Sequence, residues 1–513
     1  MNDRDRWWET AVFYQIYPRS FADANGDGIG DLAGIRSRLS HLAWLGVDAL
    51  WLSPIYPSPM ADFGYDVADY CDVDPVFGDL AELDALVADA HDIGMRVTLD
   101  WVPNHTSDRH PWFVDARSRR DAAKRDWYVW RDPAPDGGRP NNWDACWDIG
   151  PAWTFDEATG QYYLHLFLPE QPDLNWANPE VQAAMLDTLR FWLDRGIDGF
   201  RADVVHLIGK DPSLPDLATA GTPIISNDHH STHEHLRRIR SLLDSYAHRP
   251  MMVGEVNLFG PGQVRSYHGD DDELTLVFDF RPTYSRWTAE EFRRRIVEVE
   301  AEYDDGTWPT WVLGNHDVVR QRTRWGSEAR ARAGAVFLLT QRGTPYLYAG
   351  EELGLPDAEI PADRVVDPGG RDGCRAPVPW TIDAGHGWGA DPWLPFVEDA
   401  AALSVEAQRE DPGSTLHLYR SLLALRRRTP ALHRGAQRLL ESPEGVVAWE
   451  RTNGEDRVVV AVNFTSEPRS MDLTGEVLLS SLVGGDRAAQ GSSTADAGEL
   501  GPDEAVIVIP RDH

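Results

Sequence analysis

A chain of 513 residues, 42% hydrophobic and 26% charged, exceeds one ordinary compact domain and suits a large barrel with insertions and an appended unit. Its formal charge of −34 argues against a nucleic-acid partner or an anionic membrane surface, since both need basic patches. Three cysteines, Cys71, Cys146 and Cys374, are too few and too scattered for a disulfide framework or a zinc site.

No apolar run follows Met1 to Arg6 and none later reaches membrane-spanning length, so a reduced cytoplasmic protein is expected. The 21 Trp offer flat faces suited to sugar rings, although Trp also packs cores. From the N-terminus, short β-type runs alternate with amphipathic stretches. The runs 11–17, 49–54, 96–101, 199–203, 251–256, 274–280, 310–315 and 345–349 are expected strands. Helical spacing marks 80–93, where Leu80, Leu83, Leu86 and Val87 share a face, and 179–195. Eight strands with helices between them predict an α/β fold, a (β/α)8 TIM barrel.

The alternation fails after strand three, in a stretch rich in Trp, Asp, Pro and Gly that reads as an inserted subdomain at 105–176. The barrel would then occupy 1–104 and 177–432. Short β-type runs at 446–449, 458–462 and 505–509, with no long helix between them, predict an all-β sandwich domain at 433–513.

Three carboxylates fall at the ends of expected strands: Asp203, Glu255 and Asp317. In such a barrel the strand C-termini converge on one pocket. Two carboxylic acids flanking one bond can break a glycosidic linkage, one attacking and one delivering a proton. Arg201 shares a strand face with Asp203 and is expected to keep it ionised. Glu255 lies in an apolar run, a setting that suits a proton donor. In the first loop, Asp23, Asn25, Asp27, Ile29 and Asp31 place oxygen ligands on alternate positions around glycines, like the start of an EF-hand. The pattern is incomplete, because position twelve is Gly34.

The segments Asp100-Trp-Val-Pro-Asn-His105, Gly199-Phe-Arg-Ala-Asp203, Gly254-Glu255 and Asn315-His-Asp317 resemble the four signature regions of the α-amylase family of glycoside hydrolases. Gln171-Pro-Asp-Leu-Asn175 and an N-terminal Ala11 to Phe21 run extend the likeness over essentially the whole chain. It is strongest towards the α-glucosidase and oligo-1,6-glucosidase branch. The resemblance implies Asp203 as nucleophile, Glu255 as acid/base and Asp317 as transition-state stabiliser. It implies His105 and His316 at the first glucose subsite, Tyr65 as an aromatic platform, and Phe167 and Gln171 as walls; Arg201 is counted with them among the substrate-binding residues. Asp62 and Arg375 match an acid–base pair that closes the far end, which makes the enzyme exo-acting on short α-glucosides. The first loop would hold one structural Ca2+ or Mg2+ on Asp23, Asn25, Asp27, Ile29 and Asp31, with no cofactor for catalysis.

The expected activity is therefore a retaining α-glucosidase acting on maltose- or isomaltose-type substrates, with some transglycosylation. Val204 follows the nucleophile, where the resembling enzymes carry Val for α-1,6 bonds and Thr or Ala for α-1,4. A trehalose synthase-like or sucrose-isomerising enzyme is the rival reading, and a non-catalytic scaffold of the same fold a more distant one.

Overall fold

The computed structural model describes residues 3–218, 228–303, 307–482 and 498–511. Eight parallel strands form its centre: β1 (Phe13–Ile16), β2 (Ala49–Leu52), β3 (Arg96–Trp101), β4 (Gly199–Ala202), β5 (Met251–Glu255), β6 (Leu276–Phe278), β7 (Thr310–Val312) and β8 (Thr344–Tyr348). They lie in chain order around the sheet, with β8 pairing β1. Between β6 and β7 the Thr310 hydroxyl donates to the Val277 carbonyl at 2.7 Å and stands 3.3 Å from the Asp279 N–H. The eight strands are nearly all buried, which is why each reads as a continuous apolar run rather than an alternating one.

Helices start and stop where side-chain chemistry dictates. Asp79 caps Leu80–Asp92 by accepting the Glu82 N–H, and Asn178 caps Pro179–Leu193 with a proline in its first turn. Gly46, at φ 103°, closes Leu39–Leu45 in the left-handed region.

Register sets the catalytic face. Asp100 of β3 lies opposite Arg201 of β4, and Arg201 lies opposite Val253 of β5, two residues before Glu255. Side chains two apart on a strand share a face, so Arg201 and Glu255 emerge together at the barrel's C-terminal end.

After β3, strands Trp130–Arg131, Gln161–Leu164 and Trp153–Asp156 make an antiparallel sheet with Gln161–Leu164 in the middle. The C-terminal region is an antiparallel sheet in the order Ala436–Leu440, Val446–Asn453, Asp456–Asn463, Ala505–Pro510 and Gly475–Ser480. Its first strand and Gly475–Ser480 were not expected from sequence. Ala436–Leu440 is half-exposed and polar at Gln437 and Arg438, so it lacks an apolar run. A second ladder joins Arg469–Ser470 to Glu499–Leu500. Among the described residues no helix is long and apolar enough to cross a membrane.

Candidate active site

At the C-terminal mouth of the barrel a cavity of about 610 Å3 is lined by Asp203, Glu255 and Asp317, with Asp62, Tyr65, His105, Phe167 and Arg371 among the other walls. The three acids, separated by over a hundred residues, meet because β4, β5 and the loop after β7 all end there.

Arg201 is buried beneath them. Its Nη1 lies 2.7 Å from Asp100, 2.9 Å from Asp203 and 3.2 Å from the Tyr65 hydroxyl, and its Nη2 bonds Glu255. Glu255 also accepts from Asn257 Nδ2 at 2.9 Å and faces the Val204 N–H at 3.3 Å. The Asp203 backbone N–H donates to the Trp101 carbonyl, which fixes the strand end.

Asp203 departs from the sequence expectation. Burial pushes its carboxyl well above the usual range, and Glu255, Asp100 and Asp317 add to that; Arg201 offsets only part. Burial is the main cause, and Arg201 cannot cancel it while it also pairs with Asp100 and Glu255.

Asp317 goes the other way. Burial raises it, but the cations Arg371, Arg375 and Arg201 outweigh that and hold it ionised. Arg371 Nη1 and Arg375 Nη2 sit 2.9 and 3.0 Å from the same Asp317 oxygen. His316 is stacked against Tyr65 at 5.4 Å between ring centres and is 2.7 Å from its hydroxyl. Burial lowers His316 to about 3 and His105 to about 4, so both are neutral rings.

The closed end differs from expectation in one residue. Asp62 pairs with Arg371, at 2.6 Å, and not with Arg375. Arg375 is completely buried and committed elsewhere, to Asp367, Asp317 and the His316 carbonyl. Arg371, one turn earlier, reaches the cavity and spans Asp62, Asp317 and Asp367. On the opposite wall Gln171 Nε2 is 3.1 Å from both Asp62 and His105, and Phe167 packs 5.2 Å from the His105 ring.

A family model described as alpha amylase, catalytic domain, matches residues 15–435. The probable alpha-glucosidase of Rhizobium meliloti (strain 1021) is 43% identical over 512 residues, spanning 92% of this chain and 91% of that protein. Oligo-1,6-glucosidase of Parageobacillus thermoglucosidasius is 37% identical over 518 residues, spanning 90% and 91%. The chain belongs to the α-amylase family. Among solved structures, an alpha-glucosyl transfer enzyme superposes with a TM-score of 0.90 at 39% identity, covering 98% of this chain and 99% of that one. Trehalulose synthase from Pseudomonas mesoacidophila MX-45 gives 0.91 at 34%, with the same coverage.

As a member of the α-amylase family the protein is a glycoside hydrolase, and several residues of its pocket escaped the sequence reading. Arg371 stood in the quoted neighbourhood of Arg375, four residues away, and nothing in the spacing said which arginine faces Asp62. Trp147 lies under the Arg371 guanidinium at 4.6 Å, and Asn257 sits two residues past Glu255; neither carries a local signal. On the open side the exposed rings of Phe259 and Tyr284 meet edge to face at 5.9 Å.

In the first loop the side chains turn inward onto their own backbone. Asp23 accepts the Gly26 and Gly28 N–H groups, Asn25 that of Asp27, and Asp27 that of Ile29. Asp31 caps the following helix through Gly34 and faces the Ala24 and Asn25 N–H groups. Among the described residues no three His, Cys, Asp or Glu side chains converge on one point as a metal site. A cation here would therefore depend on Asn25 and the Ile29 carbonyl as well as the aspartates. These donors are all hard oxygens, which fit Ca2+ or Mg2+.

Proposed function

We propose that the protein is a retaining, exo-acting α-glucosidase that releases α-glucose from the nonreducing end of short α-glucosides. The observation that carries this reading is the single guanidinium of Arg201 touching both Asp203 and Glu255, in a pocket whose far end Arg371 closes onto Asp62 and Asp317. Two acids held by one fork suit the separation of about 5–5.5 Å that retention requires. The ion pairs at the closed end leave no path for a further sugar.

In the first step an Asp203 oxygen bonds C1 of the glucose while the C1–O bond to the aglycone breaks. Glu255 gives its proton to the departing oxygen. In the second, Glu255 takes a proton from water, the water oxygen bonds C1, and Asp203 leaves as a carboxylate. Asp317, kept anionic by its arginines, grips sugar hydroxyls as the ring flattens. Tyr65 supplies the platform, His105 and Phe167 form the walls, and the fully buried His316 and Gln171 back them from behind. A Ca2+ or Mg2+ held by Asp23, Asn25, Asp27, Ile29 and Asp31 would be structural, stiffening the loop after β1; its addition should raise the melting temperature and chelation lower it.

Product analysis on maltose, isomaltose, sucrose and trehalose tests the reading. Glucose released with its α-configuration supports it, and trehalose or an isomerised sucrose as main product would replace it with a glucosyl isomerase. That second reading has a specific basis in the likeness to an alpha-glucosyl transfer enzyme and to trehalulose synthase. Val204, which lines the cavity next to the nucleophile, favours isomaltose over maltose, measured as the ratio of kcat/KM.

A further inference from the structure

Every charged group that lines the catalytic cavity is one of the three acids or stands at the closed end, with Asp62 and Arg371. Asp62 and Arg371 come from the loops after β2 and β8, the two strands that flank β1. Across the barrel lie β5 and β6, and their loops present a different surface. Phe259 follows β5, a few residues past Glu255, and Tyr284 follows β6. Val204 after β4, Phe280 after β6 and Val318 after β7 complete that wall.

Phe259 and Tyr284 are 54% and 57% exposed, and their rings meet at 74° with centres 5.9 Å apart. Large aromatic faces clustered in water at a cavity mouth mark a ligand groove. The two amides beside them are already engaged. Asn257 Nδ2 donates to Glu255 at 2.9 Å, and Asn315 Oδ1 accepts the Asp317 N–H at 2.9 Å. A second sugar would need partners for several hydroxyls, since hydroxyls taken out of water unpaired are penalised. Two rings near a right angle make a corner instead. Such a corner takes an aromatic ring stacked on one face and edge-on to the other.

We propose that the space beyond the first glucose is a subsite for a ring-bearing apolar alcohol, as departing aglycone and as acceptor, and that Phe259 and Tyr284 determine this preference. The proposal rests on the retaining-glucosidase reading. A benzyl or aryl α-glucoside seats its ring in the corner while Glu255 protonates the departing oxygen. In transfer, the glucosyl group is bonded to Asp203 and the alcohol takes the place of water. Glu255 accepts the alcohol's proton, the alcohol oxygen bonds C1, and Asp203 leaves as a carboxylate.

The test loads the enzyme from α-glucosyl fluoride, in which an Asp203 oxygen bonds C1 as the C1–F bond breaks and fluoride departs with the bonding pair. Benzyl alcohol and glucose are then offered at equal concentration. Both carry a primary hydroxyl, so the difference between them reads recognition. Chromatography gives transfer relative to hydrolysis, a ratio set by one intermediate and blind to unfolded molecules. Wild type should favour benzyl alcohol over glucose by at least about tenfold. Phe259→Ala and Tyr284→Ala should each lower the benzyl alcohol ratio by roughly 3- to 10-fold, the worth of one aromatic contact. Tyr284→Phe, which keeps the ring and loses the hydroxyl, should hold the wild-type ratio. Preference for glucose in wild type, unchanged ratios in both alanine variants, or a loss in Tyr284→Phe as large as in Tyr284→Ala overturns the proposal. No α-configured product from α-glucosyl fluoride would instead overturn the glucosidase reading on which it stands.

Discussion

Truncating Arg371 to alanine would strand Asp62 and leave Asp317 paired with Arg375 alone, because its guanidinium spans Asp62 and Asp317 while Asp367 braces it from behind. Asp62 is buried, so its uncompensated charge would cost about 3–5 kcal/mol or be relieved by taking up a proton. The expected outcome is a fall in kcat/KM on maltose of at least about 100-fold. Arg371→Lys should recover little, since an ammonium cannot reproduce a planar fork between two acids. Steady-state kinetics of both variants decide it; near-normal activity in Arg371→Ala would show that the ion pairs do not shape the subsite. Asp203→Ala and Glu255→Gln should each lower turnover by roughly 10⁴-fold with the fold intact by circular dichroism. The acids themselves were legible in sequence, because a strand-end position in a barrel has functional meaning. The identity of the closing arginine was not: two arginines four apart differ only in which way a turn after β8 points them. Nor could sequence reveal that Arg201 divides its charge among Asp100, Asp203 and Glu255.

The loop after β8 carries a second consequence of burial. Glu352 is satisfied there, taking the Tyr14 hydroxyl at 2.7 Å and the Gly350 N–H at 2.9 Å. Its neighbour Glu351 packs against the backbone of Gly314, where an added Cβ would come within 2.5 Å of its oxygen. Burial pushes Glu351 up to about 8, from an ordinary 4.5, with Arg320 offsetting part. Unfolded, this acid sheds its proton near 4.5; folded, it keeps the proton to about 8. Its contribution to stability is therefore complete below 4.5 and is lost as pH rises through 8. Glu351→Gln, which cannot ionise, should melt close to wild type at low pH and hold a higher melting temperature above pH 8. The gap should amount to a few kcal/mol, at about 1.4 kcal/mol per pH unit of displaced titration. Melts across this range that fall in parallel would remove Glu351 as the cause. The strands that support this loop were all visible as apolar runs, but their ends were overrun. Expected strand 274–280 pairs only over Leu276–Phe278, because Leu274 and Phe280 are buried for packing and not for the ladder.

For the whole molecule, the sequence divides at 432 more sharply than the packing does. One continuous hydrophobic cluster runs from the barrel helices into Val447, Trp449, Val460 and Ile507 of the C-terminal sheet. Phe337 meets Trp449 edge to face at 5.5 Å, and Trp287 lies 4.4 Å from Phe464. Arginines stitch the same seam: Arg332 donates to the Ser481 carbonyl, and fully buried Arg451 donates to the Thr340 and Gly435 carbonyls. Carbonyls that lose such donors are left buried without partners, at a cost of about 1–3 kcal/mol each. A change of composition marks a domain in sequence, yet it says nothing of the area the two units bury together. The chain should accordingly unfold in one calorimetric transition, and a version ending at 432 should be recovered only in aggregates, with Trp287 and Phe337 uncovered. Arg451→Leu should lower the melting temperature of the whole protein while leaving kcat per folded molecule unchanged, since the seam lies behind the barrel and not at its mouth. Two well-separated transitions, or a soluble and active barrel without the sheet, would mean that the shared core contributes little.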